Sequence, residues 1–560
     1  MKLIYSDKHS IFIFKCPFSK NSIPKDIGLY WKREGNFWYT KDIMKARLLR
    51  KYAGKELNKR FDKYMAKVKK TVSGSYKYTS DIKIPLPDHC PFNFYEYQKA
   101  GVEFIHKRKY SLIADDMGLG KTPSIIGAIN LMPDFNKIII ICPNSVKYNW
   151  KKEWETWSIH TNKKVCVYNS SNIKDEGDVI IINYEVLNSS TNPKSKKFRN
   201  PKKGKYNSSL NMLNMVKGWK GYDYLVCDES HRLKNLQANT TRNVMKIAKL
   251  AKKITFATGT PILSQPEDIW TTIKMFGFNK KFENNKQKFM KKYCGAYFDR
   301  RWKRTVTDID SVRPEILEEL QIRLRKNFMI RRLKSEVLTE LPEKIRSIVP
   351  LEIPQKYIRE FSDADISKDD LSLLSTNSDG QKSILRGLKP NAISELTELR
   401  KVTGEAKVKP VTDFVKELLE QGKKVVLYAH HTDVIEAYIK KFKKYGVVSI
   451  YGKTPDNERE DAKQKFQNDP DTRVFIGNFR AASEGITLTA SHTMVMAEFD
   501  WVPTIMMQTE DRIYRISQDV PCDIYYMCAD QTLDSYILSA IIKKIKIIEQ
   551  IIEKESSSNI

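Results

Sequence analysis

Short apolar runs recur in two stretches of the chain, and each run ends in a cluster of polar residues. In the first stretch they are Ser111-Leu-Ile-Ala114, Lys137-Ile-Ile-Ile-Ile141, Asp178-Val-Ile-Ile-Ile182, Tyr224-Leu-Val-Cys227 and Ile254-Thr-Phe-Ala257. In the second they are Lys424-Val-Val-Leu-Tyr428, Val447-Val-Ser-Ile450, Arg473-Val-Phe-Ile-Gly477, Thr493-Met-Val-Met-Ala497 and Asp523-Ile-Tyr-Tyr-Met527. Continuous apolar runs of this length suit strands buried on both faces, with the helical segments between them as cover. The pattern predicts an α/β protein with two parallel-sheet lobes. The two stretches share no visible sequence repeat, although they can share one fold.

Other segments read differently. Leu29-Tyr-Trp-Lys32 and Phe37-Trp-Tyr-Thr40 flank Glu34-Gly35-Asn36, which predicts two short strands around a tight turn. Asp42 to Lys70 is helical in pattern and crowded with Lys and Arg. That is either a solvated helix face or a nucleic-acid face beside Trp31, Trp38 and Tyr39. Ser189 to Lys220 carries Lys194, Lys196, Lys197, Arg199, Lys202, Lys203 and Lys205, which suits a surface loop or one that tracks a phosphate backbone. Residues 266–400 are mainly helical and charged, with a Ser/Asp/Asn-rich stretch from Ser362 to Gln381. Near the end, Ile541, Ile545, Ile548 and Ile552 fall at helical spacing and suit packing on the second sheet. The expected division is a small α+β accessory module with possible DNA binding (1–80), a first lobe (81–265), a helical insertion and linker (266–405), a second lobe (406–535) and a C-terminal helix (536–560).

Charge adds a partner class. Lys and Arg number 98 against 67 Asp and Glu, a net +31. Such an excess faces a polyanion or repels itself, so nucleic acid is the first partner to consider, ahead of a membrane surface or solubility alone. No apolar run is long enough to cross a bilayer, Ile138 to Cys142 included. Met1-Lys-Leu-Ile-Tyr-Ser-Asp7 lacks the apolar core of a signal peptide. Eight scattered cysteines without a C-x-x-C pair argue against zinc and for reduced thiols. The expectation is a soluble intracellular monomer, cytoplasmic or nuclear, with no membrane association.

Candidate chemistry begins at Asp116-Met-Gly118-Leu-Gly120-Lys121-Thr122, between a strand and a helix. Glycines there let backbone N–H groups turn toward phosphate oxygens, and the helix start adds its positive dipole end. Lys121 would reach the β- and γ-phosphates of ATP and Thr122 would hold Mg²⁺. Asp115 or Asp116 stands where the general pattern has its first glycine. Downstream, Tyr222 to Asp228 reads as a strand ending in Asp228-Glu229-Ser-His231. Asp228 would bind Mg²⁺, Glu229 would polarise the attacking water, and His231 would couple the site to the neighbouring strand end. Gln508-Thr-Glu-Asp511-Arg512-Ile-Tyr-Arg515 lies in the second stretch, and its spacing predicts Arg512 and Arg515 on one face of a helix. They can reach the γ-phosphate only when the lobes close, which makes hydrolysis depend on closure.

In this order the motifs resemble the superfamily 2 helicases, and most closely the Swi/Snf-type DNA translocases with two RecA-like lobes. The resemblance implies an adenine-reading role for Gln98 in Phe94-Tyr-Glu-Tyr97-Gln98. It assigns DNA contacts to Pro143, Ser145 and Lys147, to Asn183 and Tyr184, and to Arg242. Thr258-Gly259-Thr260 resembles the motif that couples hydrolysis to DNA, and Gln508 joins that set. Phe328-Met-Ile-Arg331-Arg332-Leu-Lys334 with Leu341-Pro342-Glu-Lys344 resembles the inter-lobe signature. In the second lobe His430 and Trp501 are implied as DNA contacts and Gly485 as an ATP contact, although Ala481-Ala-Ser-Glu484 replaces the usual glycine-rich turn before it. Thr403-Gly404-Glu-Ala-Lys407 and the paired histidines are similar to the HepA-related, annealing-helicase subgroup.

The expected activity is thus DNA-stimulated ATP hydrolysis, with ATP and Mg²⁺ as cofactors and duplex, forked or branched DNA as partner. The stretches before residue 90 and after residue 535 leave little room for nucleosome-reading appendages, which favours a compact motor for replication, recombination or repair. An RNA helicase, or a DNA-binding regulator with a weak motor, are the alternatives.

Overall fold

A computed structural model of the chain describes residues 1–169, 173, 176–191, 207–262, 265–299, 304–308, 311–338, 342–362, 390–482, 486–515, 518–539 and 541–542. Strands β1 (Lys2–Ser6), β2 (Ile11–Lys15), β3 (Tyr30–Lys32) and β4 (Phe37–Thr40) form an antiparallel sheet in the order β1-β2-β4-β3. The β3–β4 turn falls where the sequence predicts it, with Gly35 at φ 115° and Asn36 at φ 50°. A Cβ on Gly35 would lie 2.8 Å from the Phe37 ring, so only glycine fits. Strands β1 and β2 escape the pattern because apolar side chains occupy both their faces. Phe12 and Phe14 are buried while Ile11 and Ile13 are half-buried. The basic stretch after Asp42 forms two helices, Ile43–Arg47 and Lys55–Val72, and Leu49, Leu57 and Phe61 close the module's core.

The first lobe contains β5 (Tyr110–Ile113), β6 (Ile138–Cys142), β7 (Val165–Tyr168), β8 (Val179–Asn183), β9 (Tyr222–Asp228) and β10 (Ala251–Ala257). After a short antiparallel ribbon, β11 (Ala296–Asp299) with β12 (Arg304–Thr307), the chain returns through β13 (Met329–Ile330). The sheet order is β13-β5-β10-β9-β6-β8-β7, and all pairs are parallel. Every residue of β6 and β8 is buried. Ile139, Ile141, Ile180 and Ile182 enter one core, and Ile138, Ile140, Val179 and Ile181 enter the core on the other face. That division is the physical meaning of a non-alternating apolar run.

The second lobe contains β14 (Lys344–Leu351), β15 (Val425–Ala429), β16 (Val447–Ile450), β17 (Val474–Asn478), β18 (Thr493–Met496) and β19 (Cys522–Ala529). Its parallel order is β14-β19-β18-β15-β17-β16. Again Val426 and Tyr428 face one core, and Val425, Leu427 and Ala429 the other.

Three parallel strands lie where no apolar run announces them. β7 is a half-exposed edge, β13 has two residues, and β14 is an edge whose positions are exposed or half-buried throughout. As a result the range 266–405 adds an edge strand to each sheet, and helix Pro314–Asn327 buries Ile316, Leu317, Leu320 and Leu324 in the first lobe. The Ser/Asp/Asn-rich stretch beyond Ser362, the lysines and arginine from Lys194 to Lys205, and Ile545, Ile548 and Ile552 lie outside the described residues. Ile541 packs in the second lobe's core. Among the described residues no helix is long and apolar enough to cross a membrane.

Candidate active site

The strand order sets β5, β10 and β9 side by side, so three loops meet at their C-terminal ends. The loop after β5 holds Gly118 at φ 81° and Gly120 at φ 72°, and the helix Lys121–Asn130 begins directly after it. Lys121 Nζ donates to the carbonyls of Asp115 (3.0 Å) and Asp116 (3.2 Å), which curls the loop over its own lysine. Thr122 is half-buried in the helix's first turn.

Gln98 braces this loop. Its Nε2 donates to the Leu119 carbonyl at 3.2 Å, and its Oε1 accepts from Tyr95 N at 3.0 Å. A Cβ on Gly120 would fall 2.2 Å from Gln98 Nε2, so the glycine serves close approach as well as its φ. The Asp115 carboxylate makes a buried ion pair with Arg332. The Asp116 carboxylate accepts from Arg331 (2.9 Å) and from Lys334 N (3.1 Å). Both acids therefore tie the loop to the inter-lobe segment, and Asp116 meets Lys121 through its backbone carbonyl.

At the end of β9, Asp228 Oδ2 accepts from Trp150 Nε1 and Oδ1 accepts from Glu229 N, each at 2.9 Å. Tyr184 OH donates to the Asp228 carbonyl at 2.6 Å. Burial and the neighbouring Glu229 charge push the Asp228 carboxyl above its ordinary range. Glu229 adopts a left-handed conformation, φ 48° and ψ 48°. Burial works against its ionisation, but His231, Lys121 and Arg512 together hold it below the ordinary carboxylate range.

A chain of side chains then leads away from Glu229. Thr258 Oγ1 donates to Glu229 Oε2 at 3.2 Å, and His231 Nδ1 lies 3.2 Å from the same oxygen and 3.0 Å from Thr258 Oγ1. Thr258 Oγ1 also accepts from Thr260 N at 3.1 Å. Thr260 Oγ1 accepts from Gln508 Nε2 of the second lobe at 3.3 Å. Gly259 sits under the phosphate loop, where a Cβ would strike Met117 at 2.6 Å.

The second lobe presents its arginines differently from the expected helix face. Helix Pro503–Glu510 ends before them, and Arg512 and Arg515 occupy the turns that follow. At the last residue of that helix, Glu510 is fully buried and held by Lys344 Nζ (2.9 Å), by Arg346 Nε (2.7 Å) and by Tyr526 OH (2.6 Å). Arg512 is nonetheless buried against the first lobe, with one guanidinium nitrogen 3.6 Å from Met117 Sδ. Arg515 Cγ lies 3.6 Å from where a Cβ on Gly118 would stand. Burial, with the Arg512 charge beside it, lowers the Arg515 guanidinium to about 9. Lys334 bridges the lobes by donating to Asp511 Oδ1 (2.9 Å) and the Tyr514 carbonyl (2.7 Å).

The residues assigned to DNA divide. Ser145 and Arg242 are exposed. Pro143 and Trp501 are buried, the latter in the second lobe's core. Lys147 is also buried, with Nζ on Asn169 Oδ1. Asn183 donates to Glu185 at 2.7 Å, and Tyr184 serves Asp228 from inside. The backbone nitrogens of His430 and His431 donate to Glu498 Oε2 at 2.8 and 3.0 Å, and burial with the nearby Arg400 charge lowers His430 to about 3. Gly485 lies outside the described residues. Sequence reasoning missed Trp150, three residues beyond Lys147, and Asp511, which stands next to Arg512; the only signal for either is its place beside a motif residue.

Fold and site thus define a two-lobed α/β protein with a phosphate-type loop on one lobe and two arginines from the other beside it, Arg512 buried and Arg515 half-buried. The chain belongs to the SNF2-related domain family. The model of that domain matches residues 97–407, and the helicase conserved C-terminal domain matches residues 407–517. It is 30% identical over 472 residues to the human protein named DNA annealing helicase and endonuclease ZRANB3, covering 82% of this chain and 40% of that protein. It is 28% identical over 471 residues to the Xenopus tropicalis SWI/SNF-related matrix-associated actin-dependent regulator of chromatin subfamily A-like protein 1, covering 82% of this chain and 45% of that protein. The chain therefore spans less than half the length of these relatives. A Sulfolobus solfataricus SWI2/SNF2 ATPase core in complex with dsDNA aligns over 84% of this chain and 99% of that one, at 20% identity and a TM-score of 0.36. That superposition is loose, and the fold assignment rests on the sheet topology described above.

Proposed function

We propose that the chain is a DNA-stimulated ATPase that translocates on DNA, with ATP and Mg²⁺ as its cofactors and forked or branched DNA as its working substrate. The observation that carries the reading is the pair Arg512 and Arg515, contributed by the second lobe and packed against the phosphate-type loop of the first. Family membership supports hydrolysis, and the name of the human relative supports DNA annealing as the setting.

The residues fit a nucleoside triphosphate. Positive φ at Gly118 and Gly120, an amine inside the loop and a following helix start make a cradle for phosphate oxygens. Thr122 and Asp228 would hold Mg²⁺, which supplies charge neutralisation on the phosphates when bound. Lys121 is poised to exchange two backbone carbonyls for phosphate oxygens. Glu229, kept ionised, accepts a proton-bearing water better than a neutral acid does. Arg512 and Arg515 stabilise transition-state charge, an effect worth about 10³–10⁵ in rate for an arginine supplied this way. The Glu229–Thr258–Thr260–Gln508 path gives the second lobe a direct hold on the acid.

Lys121→Ala is expected to abolish DNA-stimulated ATP hydrolysis and leave DNA binding intact. Undiminished hydrolysis in that variant removes the site assignment. Stimulation by RNA and not by DNA in the unaltered chain overturns the choice of substrate. ATPase and strand-displacement assays on single-stranded, duplex, forked and four-way DNA then identify the working structure.

A further inference from the structure

A cavity of about 500 Å³ lies between the N-terminal module and the first lobe, and none of the site residues described above lines it. Lys25 and Lys41 line it from the module, and Lys280, Lys288 and Lys291 line it from the lobe. All five are exposed, and among the described residues none has an acidic partner within 4.0 Å. Two acids also line the cavity, but both are already neutralised. Glu283 is paired with Lys45 at 2.7 Å and Lys292 at 3.1 Å. Asp42 is paired with Arg323 and accepts from Met44 N at 2.9 Å. The charge left facing the cavity is therefore positive. Tyr30 lines the same cavity with 57% of its surface exposed, on the edge strand β3.

Free lysines beside an exposed ring fit a ligand with repeated phosphates and flat bases. The exposed ring selects between its forms. Stacking on Tyr30 needs an unpaired base with a free face, which a single strand offers and a duplex keeps inside its own stack. We propose that this cleft binds single-stranded DNA, with a base stacked on Tyr30 and the backbone on Lys25, Lys41, Lys280, Lys288 and Lys291. The proposal rests on the DNA-motor reading and extends it: the motor holds duplex while the module holds a separated strand.

The module is fixed to the lobe firmly enough to form one site. Lys45–Glu283, Arg323–Asp42 and Arg47–Glu318 all cross between the two. Mutating the outer lysines leaves these pairs in place, so the test does not depend on undocking the module.

The experiment measures binding of an oligo-dT strand and of a blunt duplex to the full chain, together with duplex-stimulated ATP hydrolysis. The triple variant Lys280→Ala, Lys288→Ala, Lys291→Ala is expected to weaken oligo-dT binding at least tenfold and to flatten its salt dependence. Tyr30→Ala is expected to weaken it about tenfold, in line with the loss of one stacked base. Duplex affinity and duplex-stimulated hydrolysis are expected to stay within twofold in both variants. Oligo-dT carrying 5-iodouracil is expected to photocrosslink to the peptide containing Tyr30. Unchanged oligo-dT affinity, an equal fall for strand and duplex, or crosslinks confined to other peptides overturns the cleft assignment. Absence of any DNA-stimulated hydrolysis in the unaltered chain overturns the motor reading instead, and the two failures are read separately.

Discussion

Trp150 is buried to 1% exposure, yet its indole nitrogen finds a carboxylate, Asp228 Oδ2 at 2.9 Å. It stands on helix Lys147–Trp157, directly after exposed Asn144 and Ser145. Tyr184 approaches Asp228 from the end of β8 in the same way. Two segments that the resemblance gives to DNA thus each end in an aromatic donor on the acid proposed for the metal. A strand pressing on 144–149 would shift that acid through Trp150. Trp150→Phe keeps the ring packing and removes a hydrogen bond to a charged group, worth roughly 1.5–3 kcal/mol. It is expected to lower DNA-stimulated hydrolysis by about tenfold or more while DNA affinity stays unchanged. Equal losses in both measurements would indicate misfolding or a direct DNA contact. At this scale the sequence was legible for chemistry and less so for direction. Asp228, Glu229, His231 and Thr258 stand together at the strand ends, and the Lys121 charge acts on both acids. Lys147 and Tyr184 lie in quoted motifs too, but their side chains turn inward, and neither residue type nor spacing reveals that.

Among the elements, buried strands declared themselves and edge strands did not. β6 and β8 are flanked on both sides and covered on both faces, so their composition has no freedom to be polar. β14 pairs with β19 alone, and its residues Lys344 and Arg346 have a task that an apolar strand could not perform. They neutralise Glu510 at the C-terminal end of helix Pro503–Glu510, where a carboxylate opposes the helix dipole. That anchor fixes the turn presenting Arg512 and Arg515. Burial disfavours the Glu510 charge, but Lys344 and Arg346 outweigh it and bring the carboxyl to about 2 from an ordinary 4.5. Because the folded value is the lower one, the stabilisation is complete above about pH 4.5 and is lost as pH falls from there toward 2. The difference corresponds to about 3 kcal/mol. Glu510→Gln is expected to lower the Tm of the second lobe at pH 7 and to flatten the fall of Tm below pH 5. A variant as acid-sensitive as the unaltered chain would show that Glu510 does not carry this linkage. The same variant is expected to lose ATP hydrolysis, because the arginine turn loses its support.

Over the whole molecule, the +31 excess survives the burial of many cations. Arg332 pairs with Asp115, Lys334 with Asp511, Lys407 with Asp534 and Lys292 with Glu319, all within the protein. Each internal pair removes one charge of each sign, so the imbalance remains for the outside. Charge on the outside acts on DNA through counterion release, with a log–log salt slope of about −0.9 per neutralised phosphate on duplex. Six to ten phosphate contacts across two lobes would cost about 10³–10⁵ in affinity between 50 and 200 mM salt. Lys121 belongs to the inside: its amine is spent on the carbonyls of Asp115 and Asp116. Lys121→Ala is therefore expected to reproduce the duplex salt slope of the unaltered chain while hydrolysis is lost. Titrating duplex binding against salt in both proteins checks this. A shallower slope in the variant would put Lys121 on DNA, and a flat response in both would detach the net charge from DNA binding altogether.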